Sequence, residues 1–508
     1  MELFFLSSQW LPTIFLVLFP ILSLSLLLKQ RKVKKETNLP PGPSKLPIIG
    51  NLHQVGKLNH ISLWKLSQKY GPAMFLQLGR IPTLVISSSQ MAKELLKTHD
   101  TECCTRPLSI AQEKLTYNYL TLAFCPYNDS WKNMQKIFRM ELLSKTRVQS
   151  FEYKRKAKIV ELINYITQAS PNPIELSEKA LSLTYSVICQ IAFNKNYDEI
   201  EGSKFKAFVQ ESMELFGTVA TSDIIPWFGG IVDALTGLPR RIEYCHRRFD
   251  SFFEKLIEEH LDPTKQKSEQ DVIDVMLNLS NDEKAQFNPT KEHIKAVLMD
   301  IVLGGVDTSA ITITWVMTEL VRNPRVMKKV QAEIRSYIGT KPYVDESELE
   351  NLQYLKMVLK ETFRLHPPLA LLIPLEAISH FKIGGYDINP KTRIMINVYA
   401  IGRDPKTWKN PNEFYPERFE EHAIDFRGQN FELLPFGSGR RMCPGINMAS
   451  TVVMVTLANL LYRFDWKLPN GMKREDVSVE EGIGLTIYRK LPLYLVPVIY
   501  DFEKTLDQ

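Results

Sequence analysis

The run Pro435-Phe436-Gly437-Ser438-Gly439-Arg440-Arg441-Met442-Cys443-Pro444-Gly445 decides how the chain is read. Three glycines and two prolines in so short a stretch exclude the interior of a helix or strand, so the run is a shaped loop. Gly437 and Gly439 admit positive φ or close backbone approach. Pro444 follows the cysteine, and the apolar, small-residue run from Ile446 to Leu461 predicts a buried helix starting there. A cysteine at a helix N-terminus beside two arginines is expected to be a thiolate.

A lone thiolate in a glycine loop has three readings. It can be a nucleophile. It can be a zinc ligand, but no second Cys or His stands at metal spacing nearby. It can be the axial ligand of a haem, with small residues letting backbone approach a flat macrocycle and amides hydrogen-bond the sulfur. The spacing Phe-x-x-Gly-x-Arg-x-Cys-x-Gly, at Phe436, Gly439, Arg441, Cys443 and Gly445, resembles the haem-binding loop of the cytochrome P-450 family. The resemblance implies haem b held through Cys443 as the axial iron ligand, with Arg441 on a haem propionate and Phe436 and Gly445 shaping the cradle. It also implies a mainly α fold with small β-sheets.

Bulk properties agree with an enzyme of that size. The chain has 508 residues, an ordinary 44% of apolar residues and a net charge of only +6. That balance argues against a nucleic-acid partner. The six cysteines (103, 104, 125, 189, 245 and 443) are scattered and do not form a disulfide framework, which fits a reducing compartment.

Residues 3–28 carry no charge and are long enough to cross a bilayer. Lys29, Arg31, Lys32, Lys34 and Lys35 follow the apolar run, so the expectation is a retained N-terminal transmembrane anchor over 1–28 with the body on the cytosolic side. Residues 29–45 form a basic, proline-rich hinge containing Leu39-Pro40-Pro41-Gly42-Pro43. It resembles the hinge of microsomal family members, implying the endoplasmic reticulum membrane, and 46–508 is expected to be the haem-thiolate catalytic domain.

Residues 73–87 read as a β-hairpin. The stretch from Ser109 to Phe124 corresponds to a loop that overhangs the haem in the family. Trp131 opens a helix and matches the family's Trp-x-x-x-Arg, which places it on a propionate, but Gln135 stands where the arginine is expected.

The longest helical pattern runs from Thr290 to Asn323, before Pro324. Its centre, Leu303-Gly304-Gly305-Val306-Asp307-Thr308-Ser309, breaks local rules. Interior glycines cost about 1 kcal/mol each against alanine, and an acid in an apolar helix costs more. Such violations mark functional or strained sites. Gly305, Asp307 and Thr308 match the family's Gly-x-Asp/Glu-Thr oxygen-binding signature, which implies that Asp307 and Thr308 deliver protons where dioxygen is cleaved.

Glu361-Thr362-Phe363-Arg364 places an acid and a base on one helix face. With Pro416-Glu417-Arg418-Phe419 it resembles the family's structural triad, here Glu361, Arg364 and Arg418. The resemblance puts Leu303, Gly304, Ala370, Leu371, Leu372, Ile373 and Ile483 around an apolar substrate. Leu375 occupies another position where the family commonly has a propionate-binding arginine.

Taken together, these motifs look most like the plant microsomal A-type group. The expected function is a membrane-bound monooxygenase that inserts one oxygen atom from O2 into a small apolar plant specialised metabolite, a terpenoid or alkaloid, or rearranges it oxidatively. Electrons would come from NADPH through an NADPH–cytochrome reductase. Two alternatives stand beside it: an oxygen-independent haem-thiolate isomerase or dehydratase, and a non-catalytic membrane-anchored relative.

Overall fold

The structure, a computed structural model, describes residues 38–196, 202–264, 270–284 and 286–502. The expected membrane anchor and the first part of the basic hinge lie outside the described residues. The remainder of the hinge lies on the body: Phe75 N–H donates to the Pro41 carbonyl at 2.9 Å, and Asn38 bonds to Asp387 and Gly385.

Among the described residues helices dominate, with three small sheets. The strands are β1 (Ala73–Leu78), β2 (Ile81–Ile86), β3 (Ile174–Glu175), β4 (Leu375–Glu376), β5 (Phe381–Ile383), β6 (Tyr386–Ile388), β7 (Arg393–Ile396), β8 (Phe464–Lys467) and β9 (Tyr494–Ile499). The largest sheet has the order β1-β2-β7-β4, with β2 and β7 parallel and the other neighbours antiparallel. A second sheet runs β3-β9-β8, and β5 pairs with β6 as a hairpin.

The helices that position the site are α1 (Ile110–Leu115), α2 (Asp129–Ile137), α3 (Leu176–Phe193), α4 (Leu238–Leu261), α5 (Lys291–Gly305), α6 (Asp307–Arg322), α7 (Gln353–Leu365) and α8 (Ile446–Arg463). Local chemistry sets their ends. The Asn128 side chain accepts from Trp131 N–H at 2.8 Å and caps α2. Thr290 and His293 form a capping box at the start of α5. The long pattern from Thr290 to Asn323 is two helices, because the backbone breaks at Val306 (φ −79°, ψ −71°). Pro324 opens a further helix, Pro324–Ile338, where its missing N–H costs nothing.

α6 and α8 are buried nearly all round, as a helix that is apolar on every face must be. α6 packs against α3, α7 and α8, and this bundle holds the main core. All six cysteines are free.

Candidate active site

The 435–445 loop is built from its glycines. Gly437 and Gly439 have φ +68° and +70°, which glycine alone adopts without strain. A Cβ on Gly439 would sit 2.7 Å from Asp100 Oδ1 and 2.9 Å from the Leu96 carbonyl. Cys443 N–H donates to the Phe436 carbonyl at 3.0 Å, closing the loop just before α8. Phe436 packs edge-on against Phe363 at 5.4 Å, which links the loop to α7.

Behind that contact, Glu361, Arg364 and Arg418 meet and are all buried. Arg364 holds Glu361 in a two-pronged pair, both bonds 2.8 Å, and Arg418 Nε donates to both oxygens at 3.0 and 3.1 Å. Spare guanidinium protons reach the carbonyls of Gly402, Pro411, Glu413 and Lys409. The charges are therefore fully hydrogen-bonded, as burial requires.

A cavity of about 300 Å³ lies between the loop and α5–α6. Phe436, Arg441, Cys443 and Gly445 line one side, and Gly304, Gly305 and Thr308 line the other. Asp300, Gly304, Thr308 and Thr312 repeat every fourth residue and make one stripe. A Cβ on Gly304 would meet nothing within 4 Å, whereas one on Gly305 would lie 2.5 Å from Ile188 Cδ1 of α3. Gly304 therefore leaves the open space, and Gly305 admits the neighbouring helix. The Thr308 hydroxyl donates to the Gly304 carbonyl at 2.7 Å. Asp307, just past the break, does not line the cavity. Burial raises its carboxyl to about 6, so it exchanges protons close to neutrality.

Several expectations need correction. Burial pushes the Cys443 thiol up, against a lowering hydrogen bond from Gly445 N–H, so the protein alone does not make it a thiolate. The adjacent arginines are turned away. Arg440 pairs with Asp100 at 3.1 Å, and Arg441 donates to the carbonyls of Cys104 and Cys125, each at 2.7 Å. Trp131 lines the cavity, where its indole N–H donates to the Leu122 carbonyl at 3.2 Å. The Arg441 guanidinium lies 4.2 Å over that ring.

Of the expected substrate wall, Gly304, Leu372 and Ile373 line the cavity. Leu303 turns to the main core, Ala370 packs with Tyr399 and Ile487, and Leu371 packs among the core residues under β1 and β2. Ile483 is 57% exposed. The reason for the split at 370–373 is backbone: Leu372 has φ +51°, which turns the chain so that Leu369, Leu372 and Ile373 face inward.

Sequence reasoning missed Arg106, Asp300 and the α3 residues Thr184, Val187 and Ile188, all of which line the cavity. Asp300 had a signal: an acid one turn before Gly304 in an apolar helix. Arg106 is fully buried, donating to the carbonyls of Ala123 (2.8 Å), Ile373 (2.6 Å) and Pro374 (2.9 Å). It reaches the start of the strand where Leu375 replaces the expected arginine. Gln135 bonds to the Arg440 carbonyl at 2.7 Å.

The donor set fits a haem. One cysteine sulfur faces the cavity opposite a glycine with open space above it. Burial lowers Arg106 well below its ordinary range, the nearby Arg441 charge adds to that, and burial brings Arg441 down to about 10. Two desolvated guanidiniums in one cavity call for anionic partners, which the carboxylates of a haem provide.

Comparisons agree. The family model described as Cytochrome P450 matches residues 40–493. Cytochrome P450 71B34 of Arabidopsis thaliana is 48% identical over 97% of this chain and 99% of its own length. The 2-methylbutanal oxime monooxygenase of Manihot esculenta is 45% identical over 97% of both chains. A zebra fish cytochrome P450 solved with abiraterone shares the fold, with a TM-score of 0.73 at 24% identity, covering 87% of this chain and 100% of that one. The chain therefore belongs to the cytochrome P450 family, as a haem monooxygenase that uses O2 and NADPH-derived electrons.

Proposed function

We propose that the chain is a microsomal monooxygenase that inserts one oxygen atom into a small apolar plant specialised metabolite, a terpenoid or an alkaloid. The observation that carries the reading is one cavity, lined mainly by apolar side chains, with Cys443 on one face and Gly304 and Thr308 on the other. The bound haem supplies dioxygen activation and oxygen-atom transfer. Cys443 would hold its iron, and Arg106 and Arg441 would take its carboxylates. The Thr308 hydroxyl lines the cavity and, on turning from the Gly304 carbonyl that it donates to, would carry its proton to the cavity face. Asp307, titrating near 6, resupplies it from the helix break. The proton pair favours oxygen chemistry over an oxygen-independent isomerisation, which has no use for it.

Electrons would arrive from an NADPH–cytochrome reductase at the endoplasmic reticulum membrane. Lys132, Lys136, Arg139 and Arg440 would meet an acidic reductase face, Lys132 and Arg440 exchanging Asp129 and Asp100 for it, so reduction should slow as salt rises. A small aliphatic oxime, the substrate class in the name of the Manihot relative, is the second substrate reading, supported by that 45% identity.

The test is a microsomal assay with a plant reductase and pooled terpenoids, indole alkaloids and aliphatic oximes. An NADPH-dependent gain of one oxygen on a terpenoid or alkaloid supports the first reading, and turnover of oximes alone supports the second. Turnover that survives without NADPH, or in Cys443→Ser, refutes the monooxygenase mechanism.

A further inference from the structure

The segment over the cavity is held at two adjacent peptide units. The Asp300 carboxylate accepts the N–H of Leu122 through Oδ2 at 2.5 Å and that of Ala123 through Oδ1 at 3.3 Å. On the other side, the Leu122 carbonyl accepts from Trp131 Nε1 at 3.2 Å and from Arg441 Nη1 at 3.4 Å. The Ala123 carbonyl accepts from Arg106. One amide, from the Leu122 carbonyl to the Ala123 N–H, thus stands between Asp300 and Arg441.

The chain entering this segment is under strain. Tyr117, Asn118 and Tyr119 all have positive φ (52°, 55° and 63°), a left-handed turn that costs roughly 1–2 kcal/mol per residue. Strain of this kind persists only where the surroundings over-determine it. The turn itself is held by Tyr119, whose hydroxyl donates to the Ser109 carbonyl at 2.9 Å, and the far end by the Asp300 carboxylate, Trp131 and the two arginines.

We propose that Asp300 is a positioning residue: its ionised carboxylate fastens the Thr121–Cys125 segment as a roof over the cavity and so sets substrate access and orientation above Thr308. A carboxylate matches two N–H donors. Once protonated, it turns one oxygen into a donor and loses one of the two bonds.

Burial raises this carboxyl to about 7, against the two N–H donors. With the folded value above the ordinary one, the ionised anchor is present above about pH 7 and is lost as the pH falls through it. Other titratable and charged groups lie around it, and a bound haem would add its carboxylates near Arg106 and Arg441. Cys125 in the roof is raised to about 11 by burial, with Arg441 opposing and Asp300 adding to the rise. Arg106 and Arg441 lie beyond the amides. Lys295 on α5 is paired with Asp250 and Glu254 of α4. His293 at the start of α5 faces Ser130 and is lowered by burial. From α3 come the uncharged Thr184, Val187 and Ile188.

The test uses the full-length haem-loaded protein and carbon monoxide, a neutral probe without a pKa. Its rebinding rate after photolysis is followed from about pH 5.5 to about pH 8.5 for the native protein, Asp300→Asn and Asp300→Glu. The native rate should rise about fivefold as the pH falls, the size of one hydrogen bond. Asp300→Asn should stay at the fast value throughout, and Asp300→Glu should restore a pH-dependent rate. An Asp300→Asn profile that tracks the native one overturns the proposal. Amide exchange of the native 116–126 segment, corrected for intrinsic pH dependence, gives a readout that needs no variant. Protection should fall below about pH 7, and constant protection overturns the proposal.

Discussion

Adjacent glycines at the helix break should respond in opposite ways to the same substitution. Gly304→Ala adds a methyl that meets nothing within 4 Å, and Gly305→Ala adds one 2.5 Å from Ile188 Cδ1 and 3.2 Å from its Cγ1. Alanine gains about 1 kcal/mol over glycine in a helix at either position, so that term nearly cancels between the variants. The overlap at Gly305 costs about 1–3 kcal/mol, the usual size of overpacking. Gly304→Ala should thus be more stable than Gly305→Ala by about 1–3 kcal/mol. For a chain of this length that is a melting difference of roughly 1–4 °C, read from haem absorbance on heating. Removing the clashing carbon with Ile188→Val should bring the difference below about 1 kcal/mol, a coupling that a double-mutant cycle isolates. Function should split the other way. The stable Gly304→Ala projects a methyl into the cavity and should lose turnover or consume NADPH without product. Equal stabilities, or a difference indifferent to Ile188→Val, would refute the assignment of Gly305 to helix packing.

Three further outcomes follow from the geometry. Thr308→Val removes the hydroxyl on the Gly304 carbonyl while keeping the shape, so NADPH oxidation should continue while product per NADPH falls at least about tenfold; unchanged coupling counts against a proton role. Arg364→Ala strips Glu361 of its two-pronged partner and should cost about 3–5 kcal/mol, seen as loss of folded, haem-loaded protein; a loss below about 1 kcal/mol in urea unfolding would contradict the buried triad. Glu417 is held down to about 2 by Arg325, Tyr354 and Lys329 against the raising effect of burial, so it stabilises above the ordinary carboxylate range and loses that contribution as pH falls towards 2. Glu417→Gln should therefore cost stability at neutral pH and progressively less in acid; a pH-independent loss is the contrary result.

The fold and the two faces of the site were legible because each rests on residues that violate local rules in sequence. Gly437, Gly439 and the Gly304-Gly305 pair stand out by composition alone. The cavity's third wall does not: Thr184, Val187 and Ile188 belong to an apolar helix that reads like any core helix, and only its packing against α6 brings it to the site. The inward turn at Leu372 is invisible for a similar reason, since leucine carries no hint of positive φ. Burial raises the Cys443 thiol, and proximity in sequence says nothing of burial or of where a guanidinium points. Arg440 and Arg441 stand close to Cys443 in sequence, yet Arg440 pairs with Asp100, and Arg441 is fixed on the Cys104 and Cys125 carbonyls at the cavity wall.

Two expected arginines are absent, and other guanidiniums reach the cavity in their stead. Counted along the sequence, Gln135 and Leu375 look like lost charge for the haem carboxylates. Counted in space, charge is already there. Arg106 enters from a different segment and is fixed by three carbonyls from two walls, one of them Pro374, the residue before Leu375. A second arginine at 375 would meet a guanidinium already lowered by burial and by Arg441, adding repulsion in a desolvated place. Leu375 instead pairs with Ile394 and extends the apolar core under β4 and β7. Gln135, likewise, needs no charge to hold the Arg440 carbonyl, a bond that steadies the cysteine loop from α2. Position in the fold, and not in the sequence, decides which arginines reach this cavity.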